Sequence, residues 1–212
     1  MNVQTTVKAA GRFTRLADDA SIEKAKKALE ANGIEVVVVD TAEEAKAAVL
    51  SRIPEGSEVM TNASRTLDEI GVTAAINESG RYDAVRGKMM ALYGDPSKKR
   101  ELRKIAAAPD FSLGSVQAVT EDGQVLIASA SGSQLGQYPY AAGKVIWVAG
   151  THKIVADAEE GMRRIHEHAL PLENERAKAA YGFESHVGKV LTIRREAPGR
   201  FTLVLIREHV GF

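Results

Sequence analysis

Ser115-Val116-Gln117-Ala118-Val119-Thr120, Glu121-Asp122-Gly123 and Gln124-Val125-Leu126-Ile127-Ala128-Ser129-Ala130 are the consecutive segments whose reading decides the fold. Two apolar runs flank an Asp-Gly pair, the strongest short-range signal for a tight antiparallel hairpin. Ser131-Gly132-Ser133-Gln134 then breaks the apolar run, and a short helical patch leads to Ala142. Lys144-Val145-Ile146-Trp147-Val148-Ala149 predicts a third, buried strand, ended by Gly150-Thr151-His152-Lys153. A helix is expected from Asp157 to His168. Two small, polar strand-to-helix loops therefore lie close together in sequence. In open α/β sheets ligands bind at such loops, beyond the carboxyl ends of the strands.

Upstream, Ser21 caps an expected helix whose inner face is Ile22, Ala25 and Leu29, and Asn32-Gly33 stops it. Ile34 to Val39 is a continuous apolar run, as a strand buried on both faces requires. Thr41-Ala42-Glu43-Glu44 reads as a capping box for a helix to about Ser51. Ser57 to Met60 is a short strand, followed by the polar loop Thr61-Asn62-Ala63-Ser64-Arg65. Thr66-Leu67-Asp68-Glu69 reads as a second capping box, so the next helix is expected to begin at Thr66. A strand, a small-residue loop and a helix amino terminus form a potential anion cradle; the competing reading is an ordinary capped helix. Residues 97–108 predict a helix with a basic, solvated face of Lys98, Lys99, Arg100, Arg103 and Lys104. Residues 80–94 give no clear pattern.

Downstream, Leu170-Pro171-Leu172 is expected to break the helix, which restarts from Glu173 to Ala180. Lys189–Ile193 and Phe201–Ile206, joined around Pro198-Gly199, read as a terminal hairpin. The pattern predicts an α/β fold, a mixed, mostly parallel sheet flanked by helices with antiparallel hairpins. Residues 1–20 read as an amino-terminal arm, flexible or packed, and residues 21–212 as one α/β domain.

The chain has 212 residues, 28 Lys plus Arg, 28 Asp plus Glu and no cysteine. Zero net charge argues against nucleic acid or an anionic membrane as the main partner. The lack of cysteine excludes disulfides, thiol catalysis and Cys-ligated clusters within this chain. No apolar run is long enough to span a bilayer, and Lys8 and Arg12 are followed by no apolar core of a secretory signal. A cytoplasmic location is expected.

An ordered set of motifs resembles the lactate-utilisation (LUD) domain family. It comprises Gly114-Ser115-Val116-Gln117-Ala118-Val119-Thr120-Glu121-Asp122-Gly123, Ala130-Ser131-Gly132-Ser133-Gln134, Ala142-Gly143-Lys144-Val145-Ile146, Lys153-Ile154-Val155 and Leu170-Pro171-Leu172-Glu173-Asn174-Glu175-Arg176-Ala177. The likeness runs from about Phe13 to Phe212. It implies a NagB/RpiA/CoA-transferase-like fold and a role in oxidising lactate to pyruvate. That role is usually shared among several proteins, some carrying iron–sulfur clusters, so an iron–sulfur partner is implied. The chain departs from this pattern in two places. No glutamate follows a strand within a Gly-rich loop, as a CoA-transferase would need, and His152 stands where the family usually has an uncharged polar residue.

Three loops carry the candidate chemistry. Ser131, Gly132, Ser133 and Gln134 offer hydroxyls, an amide and backbone N–H groups to an anion; the competing reading is a turn of small residues. The loop lacks the Gly-Lys-Ser/Thr ending of a Walker motif, a dinucleotide fingerprint and a nucleophile elbow. Lys153 would supply positive charge, with Asn62, Ser64, Arg65 and Thr66 completing the site; a surface lysine is the alternative. Asp110, Ser112, Gly114 and Ser115 are expected on the ligand side, and Glu121 and Asp122 at the turn end. Glu173 and Arg176, three apart, are expected to pair along a helix. The five histidines form no metal-ligand spacing, and His166 and His168 point to different faces. His152 lies within reach of an acid–base role by its ordinary pKa, but loop packing or solvent contact is the reading preferred.

The expected function is therefore a ligand-binding or accessory subunit of lactate oxidation. It would bind a small anion, hold no cofactor of its own and act with an iron–sulfur partner, with oligomerisation left open. The alternative is a stand-alone enzyme of the isomerase or acyl-transfer type, acting on a phosphorylated or CoA-linked substrate.

Overall fold

The computed structural model describes residues 11–212; the first half of the expected amino-terminal arm, residues 1–10, lies outside them. In the remainder of that arm Phe13 is buried against Ala118, Leu126, Val155 and Ile165, and Asp18, not the expected Ser21, caps the helix that follows: its carboxylate accepts from the Ser21 N–H at 2.9 Å, which puts Ser21 inside the first turn.

The elements, in chain order, are α1 (Asp19–Ala31), β1 (Ile34–Val39), α2 (Ala42–Leu50), β2 (Glu58–Thr61), α3 (Arg65–Glu69), α4 (Val72–Asn77), β3 (Asp83–Ala84) and α5 (Val85–Met90). A 3₁₀ turn at Pro96–Lys98 leads into α6 (Lys99–Ala107), then β4 (Phe111–Gly114), β5 (Ala118–Thr120) and β6 (Val125–Ser129). A π turn at Gln137–Ala141, β7 (Lys144–Gly150), a 3₁₀ turn at Thr151–Lys153 and β8 (Ile154–Val155) follow. The chain ends with α7 (Ala158–Arg164), a π turn at Ile165–Ala169, α8 (Leu170–Tyr181), β9 (Lys189–Ile193) and β10 (Phe201–Ile206).

These strands form two sheets. The larger has six strands in the order β1-β10-β7-β4-β2-β3, and every pair in it is parallel. Its central strands are apolar on both faces, as a sheet covered on both sides demands. Period-two alternation sorts them: Val145, Trp147, Phe201, Leu203 and Leu205 enter one core with Ala25 and Leu29 of α1. Ile146, Val148, Val204 and Ile206 enter the other with Ala45, Val49, Leu67 and Ile76. The smaller sheet has the order β8-β5-β6-β9. Its residues Val119, Val125 and Ile127 share the first core, so the two sheets bury a common apolar layer.

The hairpin at Glu121-Asp122-Gly123 forms, with β5 antiparallel to β6 and Gly123 at φ +89°. Glu121 pairs with Lys24 at this turn, and Thr120 bonds Asp122, so both acids serve the turn. The strand expected over Ser115–Thr120 is shorter, since only Ala118–Thr120 pair, as β5. Residues 111–114 belong to the larger sheet as β4, and the chain crosses to the smaller sheet through Ser115-Val116-Gln117. Asp110 lies at the amino end of β4, away from the strand carboxyl ends, where it accepts from the Glu58 N–H at 2.9 Å.

The expected terminal hairpin does not form. β9 pairs antiparallel with β6 in the smaller sheet, whereas β10 lies between β1 and β7 in the larger. All six residues of β10 are buried, which only a central position satisfies, while β9 is mostly exposed and takes an edge. The break at Pro171 is also absent: α7, the π turn and α8 follow one another without interruption. Pro171 is the second residue of α8, immediately after the π turn, and the chain accommodates its missing N–H there without ending the helix. The basic side chains of the α6 region are solvent-exposed, as expected.

Candidate functional site

In the larger sheet, parallel pairing brings the carboxyl ends of β2, β4 and β7 together. Asn62 follows β2, Ser115 follows β4, and Lys153 follows β7 through one 3₁₀ turn. The smaller sheet contributes the loop after β6. These segments line one cavity of about 540 Å³. Asn62, Ser64, Arg65, Thr66, Ser131, Ser133, Gln134 and Lys153 all contribute to its wall. Gly132 does not; its N–H donates to Ser129 Oγ at 2.9 Å and its φ of +83° makes the turn. The loops thus meet in a cleft between two sheets, rather than at the rim of one.

Asn62 acts as a strut. Its Nδ2 approaches Ser112 Oγ at 3.0 Å, the Leu113 carbonyl at 3.1 Å, Gln137 Oε1 at 3.2 Å and the Tyr138 hydroxyl at 3.3 Å. This ties β2, β4 and the first π turn together, and burial raises the Tyr138 pKa. Gly114 is required beside it, because a Cβ there would lie 2.0 Å from the Tyr138 hydroxyl.

The helix at the second loop starts one residue earlier than expected. Ser64, not Thr66, is the cap, with its Oγ accepting from the Leu67 N–H at 3.3 Å. Glu69 makes no capping box. It pairs with Arg65 at 2.6 Å and accepts from the Gly211 N–H at 2.6 Å. With five residues, and Asp68 in its first turn, α3 offers little dipole to an anion. The Arg65 side chain is exposed. In the loop after β6, Ser129 and Ser133 hydroxyls bond Gln134 Oε1 at 3.0 and 3.3 Å, and the Ser131 carbonyl accepts from Lys189.

Thr66 is turned inward, and so is Lys153, which is only 1% exposed. The Lys153 Nζ lies 3.0 Å from Ser115 Oγ and 3.2 Å from Thr66 Oγ1. None of the ion pairs among the described residues includes it. Burial, reinforced by the Arg164 charge, pushes its pKa down to about 7, against a smaller opposing pull from Glu69.

Arg164, on α7, is fully buried. It donates through Nη1 to the Gln117 carbonyl, while its Nε and Nη2 have no partner. Burial lowers its pKa to about 10. His152 and His168 are buried in the same neighbourhood, and desolvation followed by these cations pushes their pKa values down to about 2 and about 4. Both imidazoles therefore stay neutral across the physiological range. His152 packs on His209 with ring centroids 4.7 Å apart, and its buried Nδ1 has no hydrogen-bond partner. His168 is buried and His166 exposed, on different faces as expected. Among the described residues no three His, Asp or Glu side chains are grouped to hold a metal.

The outer wall of the cavity includes Arg86, Glu173, Arg176, Tyr181 and Phe212. Glu173 and Arg176 form the expected helix pair, bidentate at 2.6 and 2.7 Å, and Arg176 lies over the Tyr181 ring at 5.5 Å. Sequence reasoning placed Ser115 on the ligand side but did not choose it, and it missed Arg86, Arg164 and Tyr138. Arg164 had a signal: Gly161, Ile165 and His168 mark the inner stripe of α7 and the π turn, and an arginine inside that stripe is unusual.

Comparison with known proteins adds three findings. The sequence profile described as LUD domain matches residues 22–206. A crystal structure of a DUF162 family protein from Deinococcus radiodurans is similar in fold, with a TM-score of 0.54 at 11% sequence identity, covering 91% of this chain and 99% of that one. No curated protein matches. Among the described residues no helix is long and apolar enough to cross a membrane.

Proposed function

The chain belongs to the LUD domain family, whose members are tied to lactate utilisation, and from that membership we propose that it is the carboxylate-binding subunit of a lactate-oxidising assembly. In this reading the cavity between the sheets takes lactate or its oxidation product, pyruvate. The electrons pass to a separate iron–sulfur protein, since this chain has no cysteine to ligate a cluster. One observation carries the reading: a fully buried lysine faces a polar cavity with two hydroxyls and no carboxylate as partners. A buried cation without an internal counter-charge is costly, and an anionic ligand would relieve that cost. Ser115, Thr66, Ser133 and Gln134 would add hydrogen bonds, and Arg86 would add charge at the outer wall.

Titration calorimetry of the purified chain tests this. Lactate and pyruvate should each bind saturably at one site, and Lys153→Met should abolish the heat while leaving the fold intact by circular dichroism. Turnover of lactate with an artificial electron acceptor and no added partner would overturn the accessory role.

The cavity volume supports a second reading. About 540 Å³ is far more than a three-carbon acid fills and suits a ligand of ordinary cofactor or metabolite size. A stand-alone isomerase or acyl-transfer enzyme acting on a phosphorylated or CoA-linked substrate would use that space. Tighter calorimetric binding of a sugar phosphate than of lactate would favour it.

A further inference from the structure

We propose that Lys153 captures the carbonyl carbon of a small 2-oxo acid as a reversible imine within the cavity. The inference rests on the carboxylate-binding reading above and adds a covalent step that the reading does not require.

Geometry is the first support. The Lys153 side chain forms part of the cavity wall, and its Nζ is held between Ser115 Oγ at 3.0 Å and Thr66 Oγ1 at 3.2 Å. A lysine ammonium is a strongly hydrated charge whose pKa shifts readily when it is buried. This one meets no carboxylate among the described residues, and the acid nearest in charge, Glu69, is already tied to Arg65 and to the Gly211 N–H. The surroundings on the other side are cationic or neutral: Arg164 from α7, with two guanidinium nitrogens unpartnered, and the neutral imidazoles of His152 and His168. Burial and the Arg164 charge together hold a large fraction of Nζ unprotonated near neutral pH. An amine in that state is the nucleophile that carbonyl addition needs.

The step balances without an oxidant. The Nζ lone pair forms a bond to C2 of the 2-oxo acid, and the carbonyl π pair moves to oxygen. One amine proton passes to that oxygen, with the Ser115 or Thr66 hydroxyl placed to relay it. The nitrogen lone pair of the carbinolamine then forms the C=N bond as the C–O bond breaks, and the second amine proton leaves with the departing hydroxide as water. Arg86, which pairs with no carboxylate among the described residues, lines the same cavity and would receive the acid's carboxylate. Lactate has no carbonyl and cannot react in this way. The chemistry therefore separates product from substrate: the 2-oxo acid is held covalently and the 2-hydroxy acid is not.

Reductive trapping tests the proposal. The full chain is incubated with pyruvate and sodium cyanoborohydride near neutral pH, then examined by intact-mass and peptide mass spectrometry. The expected result is one adduct per chain, heavier by one pyruvic acid less one oxygen, mapped to Lys153 with a yield at least about tenfold above any other lysine. Lactate in place of pyruvate should give no adduct, and lactate added in excess should slow trapping by pyruvate. Lys153→Arg should lose the adduct, but the peptide map of the unaltered chain decides the matter even if that variant fails to fold. Saturable pyruvate binding by calorimetry without an adduct on Lys153 overturns the imine and leaves the carboxylate site standing. Adducts spread evenly over the surface lysines overturn it as well. Neither an adduct nor saturable binding of pyruvate or lactate overturns both the imine and the reading beneath it.

Discussion

Lys153 Nζ and Ser115 Oγ, 3.0 Å apart, join the carboxyl ends of β7 and β4 across the floor of the cavity. β4 and β7 pair in parallel, and the two residues lie on the segments that leave their carboxyl ends, Ser115 directly after β4 and Lys153 at the end of the 3₁₀ turn after β7. Ser115→Ala should therefore weaken the site without unfolding it. We expect a stability loss of about 1 kcal/mol from the lost hydrogen bond and a roughly tenfold lower affinity for lactate. Denaturant melts and calorimetry on the same preparation check both.

The buried amine should leave a signature in stability against pH. The folded-state pKa of Lys153 is pushed down to about 7, against the 10.5 of an ordinary lysine. Between those values the unfolded chain binds the proton and the folded chain does not, so this group adds stability as pH rises from 7 to 10. Below pH 7 its full penalty is present. Lys153→Met should accordingly stabilise the protein most at pH 6, with the gain shrinking toward pH 10. Paired thermal melts across that range would refute the assignment if the gain were constant.

Arg164 acts on Lys153 through its charge, burial being the larger cause of the lysine's shift. Arg164→Met keeps the burial and removes the charge, so the Lys153 pKa should rise. The pH at which Nζ becomes reactive toward an acylating reagent, read by peptide mass spectrometry, should move upward by a measurable fraction of a unit. Because two of its guanidinium nitrogens have no partner, the substitution should change stability little or improve it.

Acid should destabilise the chain before its carboxylates titrate. His152 and His168 have folded-state pKa values pushed down to about 2 and about 4 from 6.5. Between roughly pH 6.5 and 4 the unfolded state takes up protons that the folded state refuses, so stability falls as pH falls through that window. His168→Gln should flatten the decline between pH 6.5 and 4, as measured by urea midpoints at half-unit steps.

Gly114 tests the packing of the wall. An added Cβ would lie 2.0 Å from the Tyr138 hydroxyl, which is fully buried and bonded to Asn62. Gly114→Ala should cost about 2–3 kcal/mol, in the range expected for overpacking. Adding Tyr138→Phe should recover part of the loss by removing the clashing oxygen. If the double variant were no better than the single one, the clash would not be the cause.

Much of this fold was legible because its signals are local. The apolar run Ile34–Val39, the Asp122-Gly123 turn and the cap at Thr41 are each decided within a few residues. Local order failed where long-range pairing outweighed it. Phe201–Ile206 looks like the partner of Lys189–Ile193, but burial on both faces sends it between β1 and β7. Ser64 took the cap from Thr66 because the inward-facing Thr66 hydroxyl meets Lys153 and Ser115 instead.

By itself the amino-acid sequence determined the α/β class, the loops that carry polar residues, the absence of thiol chemistry and the family resemblance. Each depends only on residue type, spacing and composition. Tertiary structure alone decided that those loops come from two sheets, that Lys153 is buried without a carboxylate, and that Arg164 is buried close enough to oppose its protonation. Desolvation and Coulomb interaction depend on distance and burial, and residues far apart in the chain acquire both only when the sheets close on one another.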